Sequence, residues 1–284
     1  MIETVHEPGA PAAGGRVALV TGGSRGLGLA MARALLGAGW RVAITGVDAA
    51  RLGATAAELA AAHGPGRLLA LRADVKEAQD AEDAVQATLG AFGRLHALVN
   101  NAGLGRITAT EHLEPVPFWQ APLQRWHDIM HTNAFGPFHM ARAAVPALLA
   151  EGAAGFGRIV NISTSATTTL LLTPYGATKA ALEMLSRHWA RDLASTGVTV
   201  NVLLPGGAAD TDIIQGIGTG PDRWFGRALL PPTVMNEALL WLLSDASSGV
   251  AGRSFVGKVW DASLPPEQAW QAAVRPLPEA PAII

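Results

Sequence analysis

Two kinds of stretch alternate along the chain. Short apolar runs occur at Arg16–Val20, Arg41–Thr45, Leu68–Leu71, Leu95–Val99, Arg158–Ile162, Val198–Leu204 and Ser254–Val259. Runs that are apolar on successive residues read as strands covered on both faces, as in a parallel sheet. Between them lie longer stretches with apolar residues at helical spacing. Leu29 to Ala38 is one; Asp48 to His63, with Leu52, Ala56 and Leu59 on one face, is another and stops at Gly64-Pro65-Gly66. Others run up to Phe92 before Gly93, from Gln124 to about Leu149, from Tyr175 to about Ser195, and from Val234 to Leu243. Pro146 is expected to bend or unravel the end of the fourth of these. Strands alternating with helices predict βαβ units and an α/β fold: a doubly wound parallel sheet of about seven strands, helices on both faces, in a single domain over 16–264. Residues 1–15 read as a loose tail. Those at 265–284 read as a Pro-rich tail that frays or packs on a neighbouring molecule.

Composition narrows the function classes. Of 284 residues 49% are apolar and 15% charged, and the net charge of -2 comes with no basic run, so nucleic acid has no electrostatic footprint here. With no cysteine, disulfides and thiolate metal sites are excluded, which fits a reducing, cytoplasmic setting. No apolar stretch approaches the ~18–20 residues that span a bilayer. His127 and His131 have a spacing able to hold a metal, but no acidic partner motif accompanies them, so no metal is expected.

The chemistry collects after the strands. Thr21-Gly22-Gly23-Ser24-Arg25-Gly26-Leu27-Gly28 follows the first apolar run and opens a helix. In that context a glycine loop lets backbone approach a pyrophosphate while helix N-terminal amides face its charge, which is the Rossmann-type arrangement. A second turn, Asn100-Asn101-Ala102-Gly103, follows the fourth run. Tyr175 is the only tyrosine, and Lys179 lies four residues on, so a helix would bring phenol and ammonium to one face. A nearby cation favours the ionised phenol, which makes Tyr175 a candidate general acid/base. Phe118 and Trp119 in the connection 104–125, and Trp224 and Phe225 in the lid-like segment 206–233, are candidate walls of an apolar or aromatic substrate pocket.

With these motifs in order, the chain resembles the short-chain dehydrogenase/reductase family from about Arg16 to Asp261. The resemblance rests on Thr21-Gly22-x-x-x-Gly26-x-Gly28, Asp74, Asn100 to Gly103, Asn133, the hydroxyls after Asn161, Tyr175-x-x-x-Lys179 and Pro205-Gly206. It implies hydride exchange between a nicotinamide cofactor and a carbonyl/alcohol pair. Tyr175 would be the acid/base. Lys179 would lower its pKa and hold the nicotinamide ribose, and Asn133 would hold a water in the proton path. A hydroxyl would orient the substrate oxygen; Thr164 and Ser165 are equal candidates, with Ser163 behind. Gly22, Ser24, Arg25, Gly26, Leu27, Gly28, Asp74, Val75, Asn101, Ala102, Gly103, Tyr175, Lys179, Pro205 and Gly206 would bind the cofactor.

The family's usual cofactor determinants are missing, since Gly46 stands where NAD-preferring members carry an acid and Val47 where NADP-preferring members often carry arginine. Arg25 matches a basic position that contacts the 2′-phosphate, so NADP is preferred, with NAD possible. A homo-oligomer, tetramer or dimer, is implied as well. The alternatives are a non-catalytic dinucleotide-binding regulator or scaffold, and imine reduction on the same fold.

Overall fold

A computed structural model describes residues 2–9, 14–105, 118–164, 174–212, 223–224 and 227–275. Its main sheet is built from β1 (Glu3–His6), β2 (Val17–Val20), β3 (Arg41–Gly46), β4 (Leu68–Arg72), β5 (Ala97–Asn100), β6 (Gly157–Ile162), β7 (Val198–Leu204) and β10 (Ser254–Val256). Two short strands, β8 (Arg223–Trp224) and β9 (Arg227–Ala228), pair as a separate hairpin. The helices are α1 (Gly26–Gly37), α2 (Ala49–His63), α3 (Ala78–Phe92), α4 (Leu123–Met130), α5 (Gly136–Ala153), α6 (Tyr175–Asp192), α7 (Asn236–Leu242) and α8 (Pro266–Ala273).

The sheet order is β1-β4-β3-β2-β5-β6-β7-β10, parallel throughout except for β1. From β2 the chain winds one way through β3 and β4, then crosses to β5 and winds the other way. Adjacent residues of one strand serve different layers. Ala18 and Val20 pack with Leu35, Leu36 and Leu239 on one face, whereas Val17 and Leu19 pack with Val85, Met140 and Leu148 on the other. Burial on both faces is why the strands lack polar alternation. The reversal between β2 and β5 leaves a crevice outside their carboxyl ends, where ligands of such sheets bind.

Three expectations about the periphery need correction. The first residues are not all loose tail: Glu3–His6 pairs antiparallel with β4, Glu3 opposite Arg72 and Thr4 opposite Leu71. Pro146 does not unravel its helix, and α5 continues to Ala153. The proline is on the exposed side, where water can take the hydrogen bond its ring removes. The C-terminal stretch contains a docked helix, α8, with Ala269 and Ala273 buried. Trp270 stacks on Trp241 with ring centroids 5.6 Å apart, and Trp260 joins at 5.7 Å. Among the described residues no helix is long and apolar enough to cross a membrane.

Candidate active site

The glycine loop joins β2 to α1, and its shape is set by packing against the turn after β5. The Thr21 hydroxyl accepts the backbone N–H groups of Asn101 and Ala102, at 3.0 and 2.9 Å. In return the Asn101 amide donates to the carbonyls of Thr21 and Gly22, at 2.9 and 3.1 Å. A side chain at Gly28 would lie 2.2 Å from the Gly22 carbonyl oxygen, and Gly22 itself adopts φ +64°. Both glycines are therefore required for the two turns to close on each other. Helix α1 starts at Gly26 with no side-chain cap, so its first-turn amides face the cleft without a protein acceptor from that source. Uncapped amides, a positive helix end and backbone free of side chains fit a pyrophosphate.

One continuous cleft collects most of the predicted positions. It is lined by Gly22, Ser24, Arg25, Gly26, Leu27 and Gly28, by Asp74 and Val75, by Asn101, Ala102 and Gly103, and by Thr164, Tyr175, Lys179 and Pro205. Gly206 is not part of that lining; it turns the chain at φ +89° beside Pro205. The Asp74 carboxylate faces Lys76, whose backbone N–H it accepts at 3.0 Å.

Tyr175 opens α6, and a buried polar chain fixes that helix to the sheet. Asn100 donates to Asn161 at 2.8 Å, Asn161 donates to the Ser186 hydroxyl at 2.8 Å, and Ser186 donates to the Leu182 carbonyl at 2.6 Å. The turn His131–Phe135 between α4 and α5 is π-helical and carries Asn133, which is fully buried. Its carboxamide oxygen accepts the Leu104 N–H at 2.8 Å, and its nitrogen donates to the Leu104 carbonyl at 2.9 Å and to the Thr178 hydroxyl at 3.2 Å. These three bonds clasp the turn after β5 to α6.

Lys179 sits one turn beyond Tyr175 and donates to the Ile162 carbonyl at 2.8 Å. The expected lowering of the tyrosine pKa is not what this arrangement gives. Burial pushes the Tyr175 phenol up to about 12, opposed by a hydrogen bond from the Thr164 hydroxyl. Burial also brings the Lys179 ammonium down to about 8, opposed by nearby Glu183. Desolvation dominates both groups, and the lysine nitrogen stands 5.8 Å from the centre of the tyrosine ring. Tyr175 is therefore protonated at neutral pH, in the form that donates.

Two of the three candidate hydroxyls lie among the described residues. Ser163 donates to Glu183 at 2.7 Å, and Glu183 in turn pairs with Arg275, so that serine is engaged away from the tyrosine. Thr164, nearly buried, is the hydroxyl bonded to Tyr175. Ser165 lies outside the described residues. The substrate walls fare worse. Phe118 and Trp119 are each 71% exposed, contact one another, and do not line the cleft. Phe225 falls outside the described residues, and Trp224 is described only as part of the β8 strand.

A family model described as short chain dehydrogenase matches residues 16–221. The chain belongs to that family. A 3-oxoacyl-[acyl-carrier-protein] reductase of Synechocystis is 31% identical over 84% of this chain and 94% of its own length. A 3-alpha-(or 20-beta)-hydroxysteroid dehydrogenase of Mycobacterium tuberculosis is 35% identical over 85% of this chain and 87% of its own. Among solved structures, a 3-ketoacyl-(acyl-carrier-protein) reductase from Brucella melitensis complexed with NADH superposes with a TM-score of 0.72 at 29% identity, covering 84% of this chain and 95% of that one. With the site geometry, these similarities make the protein an NAD(P)-dependent oxidoreductase of the short-chain dehydrogenase family.

Sequence reasoning missed several residues that shape the cleft. Asp212 lines it and is met by Arg51, 161 positions away in sequence. Glu183 continues the Tyr175, Lys179 spacing by one more turn, which was a readable signal.

Proposed function

We propose that this enzyme reduces a ketone to a secondary alcohol, or the reverse, with Tyr175 as proton donor and NADPH as the preferred cofactor. The observation that carries the reading is the buried Tyr175 phenol, bonded to Thr164, in the same cleft as the uncapped glycine loop. The bound nicotinamide supplies or accepts a hydride. As the substrate oxygen gains charge, the Thr164 hydroxyl donates a hydrogen bond to it and Tyr175 passes its phenolic proton to it. Lys179, on α6 with its nitrogen beside Gly103, stabilises the tyrosinate that remains. Asn133 keeps Leu104 and Thr178 in register with both.

The names of the acyl-carrier-protein reductase and of the hydroxysteroid dehydrogenase point to a ketone or a secondary hydroxyl, which supports a substrate of that kind. Arg25, on the cleft wall, supports NADP. Exposed Phe135 in the π-helical turn, Phe138 on α5 and Met184 on α6 support a homo-oligomer joined through this surface; sedimentation at the mass of one chain would remove that part.

The test is consumption of NADPH and NADH across a panel of aliphatic, cyclic and aromatic ketones. Thr164→Val is expected to lose about 10²–10³ in kcat, the typical loss of one donor to a developing oxyanion. Turnover of no ketone, with both cofactors bound, would leave the reading without support.

Lys179 gives the reaction a distinctive pH dependence. An unperturbed lysine loses its proton near 10.5, and this one does so near about 8. Below that pH the ammonium is present, and above it the tyrosinate formed in reduction has no adjacent cation. For carbonyl reduction, kcat/KM is expected to be flat up to about 8 and then to fall about tenfold per pH unit, since kcat/KM reports groups of the free enzyme. A profile flat to pH 10 would contradict the role given to Lys179.

A further inference from the structure

The adenosine end of the cleft contains an anion of the protein's own. Two guanidiniums converge on one carboxylate oxygen of Asp212, Arg25 at 2.8 Å and Arg51 at 2.7 Å. Arg25 comes from the glycine loop and Arg51 from the first turn of α2. Asp212 comes from the segment after Pro205-Gly206, which is pinned by Asp210 and Leu230: the Asp210 N–H donates to the Leu230 carbonyl at 2.9 Å, and the Leu230 N–H to the Ala208 carbonyl at 2.8 Å. Both arginines act on Asp212 to hold its carboxyl below the usual carboxylate range, with the Arg25 hydrogen bond first.

The position of this cluster matters. In a dinucleotide fold the adenosine ribose lies at the end of the second parallel strand, where an acid takes its 2′-hydroxyl or an arginine takes a 2′-phosphate. Here that strand, β3, ends at Gly46, followed by Val47, which is 61% exposed. The next acid, Asp48, caps α2 by accepting the Arg51 N–H at 3.0 Å, and its other oxygen lies 3.7 Å from the Arg51 guanidinium. Gly46, Val47, Arg25, Thr211 and Asp212 line the same end of the cleft. An arginine fork suits a phosphate at least as well as a carboxylate, because the phosphate offers more oxygens and more charge.

We propose that Asp212 is a cofactor-discriminating residue whose carboxylate occupies the seat of a ribose 2′-phosphate between Arg25 and Arg51, and is displaced when that phosphate binds. This rests on the cleft being the dinucleotide site. The arginines are preset by Asp212, and NADP(H) gains their contacts only after breaking two existing ion pairs. NAD(H) leaves those pairs intact and gains nothing from Arg51.

The test is calorimetric binding of 2′,5′-ADP, 5′-AMP and NADH to the full-length wild type, Asp212→Asn and Arg51→Ala. Removing the competing carboxylate is expected to tighten 2′,5′-ADP about three- to tenfold, and Arg51→Ala to weaken it about tenfold, with 5′-AMP and NADH changed less than twofold in either variant. If NADH binds the wild type but Asp212→Asn leaves 2′,5′-ADP unchanged or weaker, the displacement is overturned while the dinucleotide cleft stands. If Arg51→Ala leaves 2′,5′-ADP unchanged, Arg51 is not part of the seat and the proposal falls. If neither NADH nor 2′,5′-ADP binds the wild type, the cleft assignment and the proposal fall together.

Discussion

Tyr175→Phe is expected to lower kcat for ketone reduction by about 10²–10⁴-fold, the usual contribution of a positioned acid, while leaving cofactor affinity nearly unchanged. The substitution removes one oxygen and keeps the ring that packs at the start of α6. It also leaves the Thr164 hydroxyl without the phenol it bonds. Stability should move little, since among the described residues the deleted hydroxyl bonds Thr164 and the net value of one such bond is ~1 kcal/mol. Steady-state kinetics beside a cofactor titration separates the two effects. A variant that fails to bind cofactor would show that the ring, rather than the proton, carries the loss.

Gly28→Ala is expected to be the most damaging small substitution in the cofactor half of the cleft. The added carbon would stand 2.2 Å from the Gly22 carbonyl oxygen and 2.4 Å from the Asn101 amide nitrogen. Neither neighbour can retreat cheaply. The first is backbone in a turn at positive φ, and the second holds the two turns together. Overpacking of this kind costs about 1–3 kcal/mol, and at about 2–4 °C per kcal/mol for chains of this size Tm should fall by roughly 2–12 °C. Because the displaced atoms shape the pyrophosphate cradle, the dissociation constant for either cofactor should rise at least tenfold, about 1.4 kcal/mol. An alanine variant with wild-type affinity would mean that the cradle is elsewhere.

The sheet was legible because its strands are covered on both faces and therefore read as uninterrupted apolar runs. Strand β1 was not legible for the opposite reason. Glu3-Thr4-Val5-His6 is half polar and lies at the edge, so nothing in its pattern distinguishes it from a tail. The α8 helix was hidden in a Pro-rich composition, and only the tertiary stacking of Trp270 on Trp241 explains why it docks. Within the site, spacing and order were enough to bring Tyr175, Lys179 and the two turns into one cleft. Spacing carries no information on burial, and burial reverses the inferred effect on the Tyr175 phenol. Setting Ser163 apart from Thr164 also needed the fold, since Glu183 draws Ser163 away from a direction that sequence leaves open. The Phe118 and Trp119 walls rested on composition alone, and these side chains stand in solvent.

The measurement that bears most directly on the account follows the hydrogen itself. With NADPH deuterated at the transferable C4 position, a ketone that the enzyme turns over should yield an alcohol carrying deuterium on the carbinol carbon. The hydroxyl proton should come from solvent through Tyr175, and the rate of labelled product formation should fall about 10²–10⁴-fold in Tyr175→Phe. Product bearing only protium at that carbon while NADPH is consumed, or undiminished labelled product from Tyr175→Phe, would contradict it.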